Sequence, residues 1–149
     1  MIGNCICGAV SFELLGNSPA SYHCHCKLCQ KQGGTGSNAA TIVYSEQFKW
    51  RSGEDNIGTW QKDTGFSSHF CLTCGSPAPN VFKSKYVWIP VGLLENPDTK
   101  VIANLWLESK PQWATPLKLQ RNYDGAAEDI EEFVQFLNSG KYFSIRENI

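Results

Sequence analysis

Seven cysteines crowd into the first half of this chain, at positions 5, 7, 24, 26, 29, 71 and 74. An odd number cannot be consumed by disulfides alone. They fall into three groups: Cys5 and Cys7 as C-x-C, Cys24, Cys26 and Cys29 as C-x-C-x-x-C, and Cys71 and Cys74 as C-x-x-C. Close pairs of this kind put two thiolates on one side of a tight turn, and two such turns close a tetrahedral zinc site at about 2.3 Å per sulfur. Gly75, directly after Cys74, permits the sharp turn of such a knuckle. A single buried cysteine is ordinarily a small inert hydrophobe, but packing does not explain seven at knuckle spacings.

Seven divides naturally into four plus three. The outer pairs, Cys5/Cys7 and Cys71/Cys74, can build one closed four-thiolate zinc site tying the N-terminus to the middle of the chain. The central trio can form a tripod on one loop, leaving a zinc there with an open fourth position, the mark of a catalytic or substrate-binding metal. Other partitions stay open at this level: the trio can lend a thiolate to an outer pair, or His23, His25 or His69 can complete it. Three thiolates donate strongly, so their metal is a poorer Lewis acid than one held by neutral imidazoles and less suited to making hydroxide from water. A soft fourth ligand suits it better, and a substrate thiol bound as thiolate is the obvious candidate.

A length of 149 residues fits one domain. With 42% hydrophobic and 18% charged residues, the chain is too apolar for disorder and too interrupted for a membrane protein. A net charge of −1 argues against a nucleic-acid partner, which wants a basic face. The opening Met1-Ile2-Gly3-Asn4-Cys5 lacks a basic segment followed by an apolar run, so we expect no secretory signal, a reducing cytoplasmic setting and free or metal-bound thiols. Short β-prone runs at 9–14, 39–44, 57–62, 66–70, 81–82, 86–91 and 101–107 are separated by Gly, Pro, Asn and Asp, which predicts a mainly β core. From Ala126 the apolar residues Ile130, Phe133, Val134, Phe136 and Leu137 recur every three or four positions. That spacing predicts a C-terminal helix over about 126–139, capped by Asp124 or Gly125. No element is predicted for Lys141 to Ile149.

At its cysteines the chain is similar to a known family. Cys5-Ile6-Cys7-Gly8-Ala9-Val10, His23-Cys24-His25-Cys26-Lys27-Leu28-Cys29-Gln30-Lys31 and Phe70-Cys71-Leu72-Thr73-Cys74-Gly75-Ser76-Pro77, with Leu107 to Trp113, resemble the glutathione-dependent formaldehyde-activating enzyme family, whose domain centromere protein V shares. The resemblance spans about residues 3–120 of a single zinc-binding domain expected to fill 1–149. It implies a β-tent, several small, strongly coiled antiparallel sheets with zinc knuckles. It also implies a structural zinc on Cys5, Cys7, Cys71 and Cys74, and a second zinc on Cys24, Cys26 and Cys29 connected with glutathione binding. The implied reaction is condensation of glutathione with formaldehyde to an S-hydroxymethyl adduct, or its reverse, a carbon–sulfur lyase step. The implied partners are a small-molecule thiol, with glutathione as co-substrate, and an aldehyde. The alternative is a non-catalytic zinc-binding interaction module of the same fold.

Other residues follow from that chemistry. His25, between two expected ligands, and His23 are positioned to move a proton between a thiol and a hemithioacetal hydroxyl; His25 is the candidate catalytic residue. Glutathione carries two carboxylates, so Lys27 and Lys31, nearest the trio, are the candidate cofactor-binding cations, with Arg51 a further one. Trp50, Trp60, Trp88 and Trp106 are expected in the core, and Trp113, among prolines, at a pocket rim.

Overall fold

The computed structural model describes residues 1–140; the tail from Lys141, for which no element was predicted, lies outside them. In chain order the strands are β1 (Ile2–Asn4), β2 (Ser11–Leu14), β3 (Ser21–Cys24), β4 (Asn38–Tyr44), β5 (Phe48–Ser52), β6 (Ile57–Gln61), β7 (Ser67–Cys71), β8 (Asn80–Phe82), β9 (Tyr86–Pro90), β10 (Val101–Leu105) and β11 (Arg121–Asn122). The helices are α1 (Lys27–Gly33) and α2 (Ile130–Asn138). The protein is mainly β, with several small sheets and one C-terminal helix. Two units share the chain: residues 1–18 with 42–97, and residues 19–41 with 98 onward. No helix among the described residues is long and apolar enough to cross a membrane.

In the first unit, β1, β2 and β5 form an antiparallel sheet in the order β1-β2-β5. Alternation along β2 buries Phe12 and Leu14 and leaves Ser11 and Glu13 partly exposed, as a half-buried strand requires. Phe12 stacks on Phe48 at 5.5 Å and meets Trp50 edge-on at 6.2 Å. With Leu14, Val43, Val87, Ile89 and Leu94 it makes the unit's core. Gly3 lies opposite Phe12, and a β-carbon there would stand 2.2 Å from the ring, so only glycine lets β1 close over it. β6 and β7 form a separate two-stranded ribbon that delivers Cys71 at its end. Trp60 lies on this ribbon and is 55% exposed, against the expectation that it enters the core. Trp50, Trp88 and Trp106 are half-buried.

In the second unit, β3 pairs antiparallel with β4 through Tyr22↔Ala40, His23↔Ala39 and Cys24↔Asn38. Its other neighbour, β10, runs parallel to it, and β10 is also parallel to β11. These two pairings depart from the antiparallel sheets expected. Parallel strands need a long crossover, and the chain between β3 and β10 supplies one by passing through residues 42–97. Tyr22 and Tyr123 both meet the Phe133 ring edge-on, at 5.3 and 5.9 Å. Phe133, Val134 and Leu137 of α2 are fully buried, so the helical spacing in the sequence marks the docked face.

α2 begins at Ile130, not near Ala126. Asp129 supplies the N-cap, its carboxylate accepting from the Glu131 and Glu132 backbone N–H groups at 2.8 and 3.2 Å. Asp124 and Gly125 have no part in it, because a side-chain cap serves only the two or three residues after it. Arg121 of β11 grips Glu132 with two hydrogen bonds of 2.7 Å and lies 3.9 Å over the Phe136 ring. The guanidinium holds the Glu132 carboxyl below its usual range. The pair therefore adds stability above the unfolded value of about 4.3 and loses it as pH falls through the folded value. The melting-temperature gap between the native chain and Glu132→Gln is expected to be present at neutral pH and to close on acidification; a gap unchanged by acid would remove the ion pair from the account.

Candidate metal centres

Cys5 and Cys7 sit on the turn between β1 and β2, and Cys71 and Cys74 on the turn leaving β7. Their four sulfurs all lie within 4.8 Å of one another, a grouping able to hold a metal ion. Cys5 Sγ is 3.5 Å from Cys7 Sγ, which is 3.9 Å from Cys71 Sγ. Each turn is built alike. In the first, Gly8 N–H donates to the Cys5 carbonyl at 3.1 Å and Val10 N–H to the Cys5 sulfur at 3.3 Å. In the second, Gly75 N–H donates to the Cys71 carbonyl at 2.8 Å, and Cys71 N–H to the Ser76 carbonyl at 2.8 Å. Gly8 and Gly75 have φ of 77° and 74°, the left-handed conformation in which a β-carbon is costly, so both knuckles require glycine after the second cysteine. The Ser76 hydroxyl accepts from Ile6 N–H at 3.0 Å, joining the turns, and Asn56 Nδ2 donates to Cys71 Sγ at 3.5 Å. Asn56 carries no sequence signal, since it acts across the fold, and Ser76 stands in the sequence only as part of the Phe70 to Pro77 motif.

The second grouping is Cys24, Cys26 and Cys29, again with sulfurs within 4.8 Å of one another. Cys24 ends β3. Cys26 is the N-cap of α1, its sulfur accepting from Cys29 N–H at 3.4 Å, and Cys29 follows in the first turn. Cys24 and Cys29 are buried and Cys26 is half-exposed, so the cluster meets solvent through Cys26. Among the described residues no histidine or carboxylate joins either group, and the trio shares no sulfur with the outer four.

The donor sets fit a cation. In the trio, the Cys24 and Cys29 sulfurs facing Cys26 drive its thiol down to about 2. In return Cys26 pushes Cys24 up to about 11, while Cys24 and Cys26 push Cys29 far up. In the outer cluster, the Ser76 backbone N–H leads in lowering Cys74 to about 5. Cys7 is pushed up to about 12: the Ala9 N–H opposes the rise, and the Cys5 sulfur and burial outweigh it. Crowding thus pulls neighbouring thiols apart, some down and some up. A divalent soft cation relieves that crowding by replacing protons with metal–sulfur bonds.

The candidate catalytic residue His25 is 2% exposed. Its Nε2 lies 3.0 Å from Asn104 Oδ1, and its Nδ1 has no hydrogen-bond partner among the described residues. His23 is partly buried, and that burial, with the His25 charge, lowers it below its usual value. Both histidines line a cavity of about 290 Å³ with Thr35, Ser37 and Trp113. Trp113 is 74% exposed and stands at a pocket rim, as the surrounding prolines suggested. Gly36 lets it approach, since a β-carbon there would stand 3.1 Å from the indole. Lys27 and Lys31 project from α1 into solvent, and neither lines this cavity. Arg51 is exposed and lies 3.4 Å from Glu13. His69 is in β7.

A family model described as glutathione-dependent formaldehyde-activating enzyme matches residues 1–109. A Halomonas elongata protein described as "Putative glutathione-dependent formaldehyde-activating enzyme" is 30% identical over 124 residues, which cover 74% of this chain and 77% of that one. A crystal structure of a Rhodobacter sphaeroides protein is similar with a TM-score of 0.53 at 28% identity, covering 64% of this chain and 89% of that one. With every cysteine of both clusters inside the matched span, this chain belongs to the glutathione-dependent formaldehyde-activating enzyme family.

Proposed function

We propose that the protein is a zinc-dependent enzyme of carbon–sulfur lyase type that forms or cleaves the S-hydroxymethyl adduct of glutathione and formaldehyde. The observation that carries this reading is the inequality of the two clusters: one set of four sulfurs, enough to complete a tetrahedron, and one set of three with no fourth side chain among the described residues. In this reading Cys5, Cys7, Cys71 and Cys74 hold an architectural zinc, and Cys24, Cys26 and Cys29 hold a second. Bound to the trio, zinc supplies a soft site that lowers the pKa of an incoming thiol.

The remaining chemistry belongs to side chains. In the forward direction the sulfur–carbon bond forms as the aldehyde π pair moves to oxygen, and the proton lost by the thiol ends on the new hydroxyl. Cleavage runs the same steps backward, so one residue that accepts and returns that proton serves both. His25, flanked in sequence by two trio cysteines, is proposed for it. Lys27 and Lys31, exposed on the helix that Cys26 caps, are proposed to pair with the glutathione carboxylates.

Zinc content and activity test this reading together. The purified protein is expected to carry two zinc ions per chain. It is expected to speed the exchange of formaldehyde into glutathione, followed by NMR of the S-hydroxymethyl signal, and not into S-methylglutathione. Two bound zinc ions with the uncatalysed exchange rate would instead favour a non-catalytic zinc-binding interaction module.

A further inference from the structure

A second cavity, of about 490 Å³, is lined by residues between Leu107 and Asn122. Lys110 and Lys118 both line it, and no aspartate or glutamate among the described residues does. Both lysines are exposed, and among the described residues neither has an ion-pair partner. The rest of the wall is apolar or uncharged, with Leu107, Pro116 and Leu117 beside the Gln112 and Asn122 amides. Two like charges on an otherwise neutral concave wall favour an anion and repel an ammonium group.

The wall is tied to the loop that carries the cysteine trio. Leu105, the last residue of β10, is the register partner of Cys24, and its carbonyl accepts from His25 N–H at 2.9 Å. The chain then turns at Trp106, whose φ of 60° is the left-handed conformation that a bulky residue rarely adopts, and enters the short turn Leu107–Ser109 that opens the cavity wall. Gln30, next to Cys29, fixes that turn: its Nε2 donates to the His25 carbonyl at 2.5 Å and to the Ser109 carbonyl at 2.9 Å. On the other side, Asn104 lies 3.0 Å from His25 Nε2 and donates to the Leu117 carbonyl at 2.8 Å and to Asn122 Oδ1 at 2.9 Å. Asn122 holds Leu119, beside Lys118, through its N–H and its carbonyl, at 3.3 and 2.7 Å. Lys110 and Lys118 therefore sit on a wall braced against the residues between Cys24 and Cys29.

Glutathione has two different ends. Its γ-glutamyl end carries a carboxylate with an ammonium group beside it, whereas its glycyl end carries a carboxylate alone. We infer that this cavity takes the glycyl carboxylate of the thiol, with Lys110 and Lys118 as the residues that select for it. The inference rests on the thiol reading above and adds to it where one end of the thiol lies; Lys27 and Lys31, which line neither cavity, are left for the other carboxylate.

The test is calorimetric titration of the zinc-loaded full chain with glutathione and with its glycyl ethyl ester, which keeps the thiol and the γ-glutamyl end and loses only the glycyl charge. The ester is expected to bind about tenfold more weakly, the effect of two exposed ion pairs, and the gap is expected to narrow at high salt. The double variant Lys110→Gln/Lys118→Gln is expected to bind glutathione as weakly as the native chain binds the ester, to bind the ester unchanged, and to keep the native melting temperature, since both positions are exposed. Lys27→Gln/Lys31→Gln is expected to preserve the gap between the two ligands. If the native chain binds both ligands equally, or the Lys110/Lys118 variant weakens both alike, only the cavity assignment falls. A gap that vanishes in the Lys27/Lys31 variant instead puts the glycyl carboxylate on α1 and also overturns it. If neither ligand binds the native chain, the thiol reading itself falls.

Discussion

Cys71→Ser is expected to leave the chain unfolded or aggregated, with no cooperative melting transition and a loss of bound zinc. Cys71 is fully buried at the end of β7. Its sulfur lies near Cys7 and accepts from Asn56, and its backbone N–H holds the knuckle through Ser76. The knuckle also ties two distant stretches of chain, since Ile6 N–H donates to the Ser76 hydroxyl. Structural zinc contributes about 10–16 kcal/mol to folding in small finger peptides, whereas whole domains are stable by about 5–15 kcal/mol. Loss of one thiolate from a four-sulfur site removes enough of that contribution to exceed the net stability. A Cys71→Ser protein that melts cooperatively near the native temperature would show that the outer cluster is not architectural.

Cys26→Ser is expected to do the reverse: to remain folded, carry one zinc in place of two, and lose its response to glutathione by calorimetry. Cys26 is half-exposed, and its part in the fold is to accept from Cys29 N–H as the N-cap of α1. Serine is among the best N-cap residues, so the helix start survives the exchange. What is lost is the third sulfur. A two-thiolate remnant holds zinc far less firmly than a tripod. A Cys26→Ser protein that still binds glutathione as the native chain does would detach thiol binding from the trio, and equal damage from the Cys26 and Cys71 variants would erase the distinction between the clusters.

Local patterning was legible where a residue's role depends on near neighbours. Alternation marked β2, the β-prone run 39–44 marked β4, and three-and-four spacing marked the buried face of α2. The helix start was misplaced by several residues, because two candidate caps precede Asp129 and only the hydrogen bonds to Glu131 and Glu132 choose among them. α1 gives no sequence signal: it has seven residues, its cap is a cysteine, and its one buried side chain gives no period to read. The short strands β1, β3, β5 and β11 are shaped by their partners more than by their own composition. Trp60 shows the limit in the other direction. Tryptophan is usually buried, but the β6–β7 ribbon is only two strands wide and leaves it outward.

What the sequence determined by itself was the sulfur inventory and its three spaced groups, and the structure then gathered them as four and three. Cysteine spacing and the glycines after Cys7 and Cys74 are local matters of turn geometry, and they sort the seven ligands into knuckles before any fold is known. What only tertiary structure decided was which polar groups stand behind those ligands. Asn56, Ser76, Asn104 and Asn122 reach their partners across strands and turns, and a hydrogen bond depends on an approach of about 3 Å in space, which no spacing along the chain encodes.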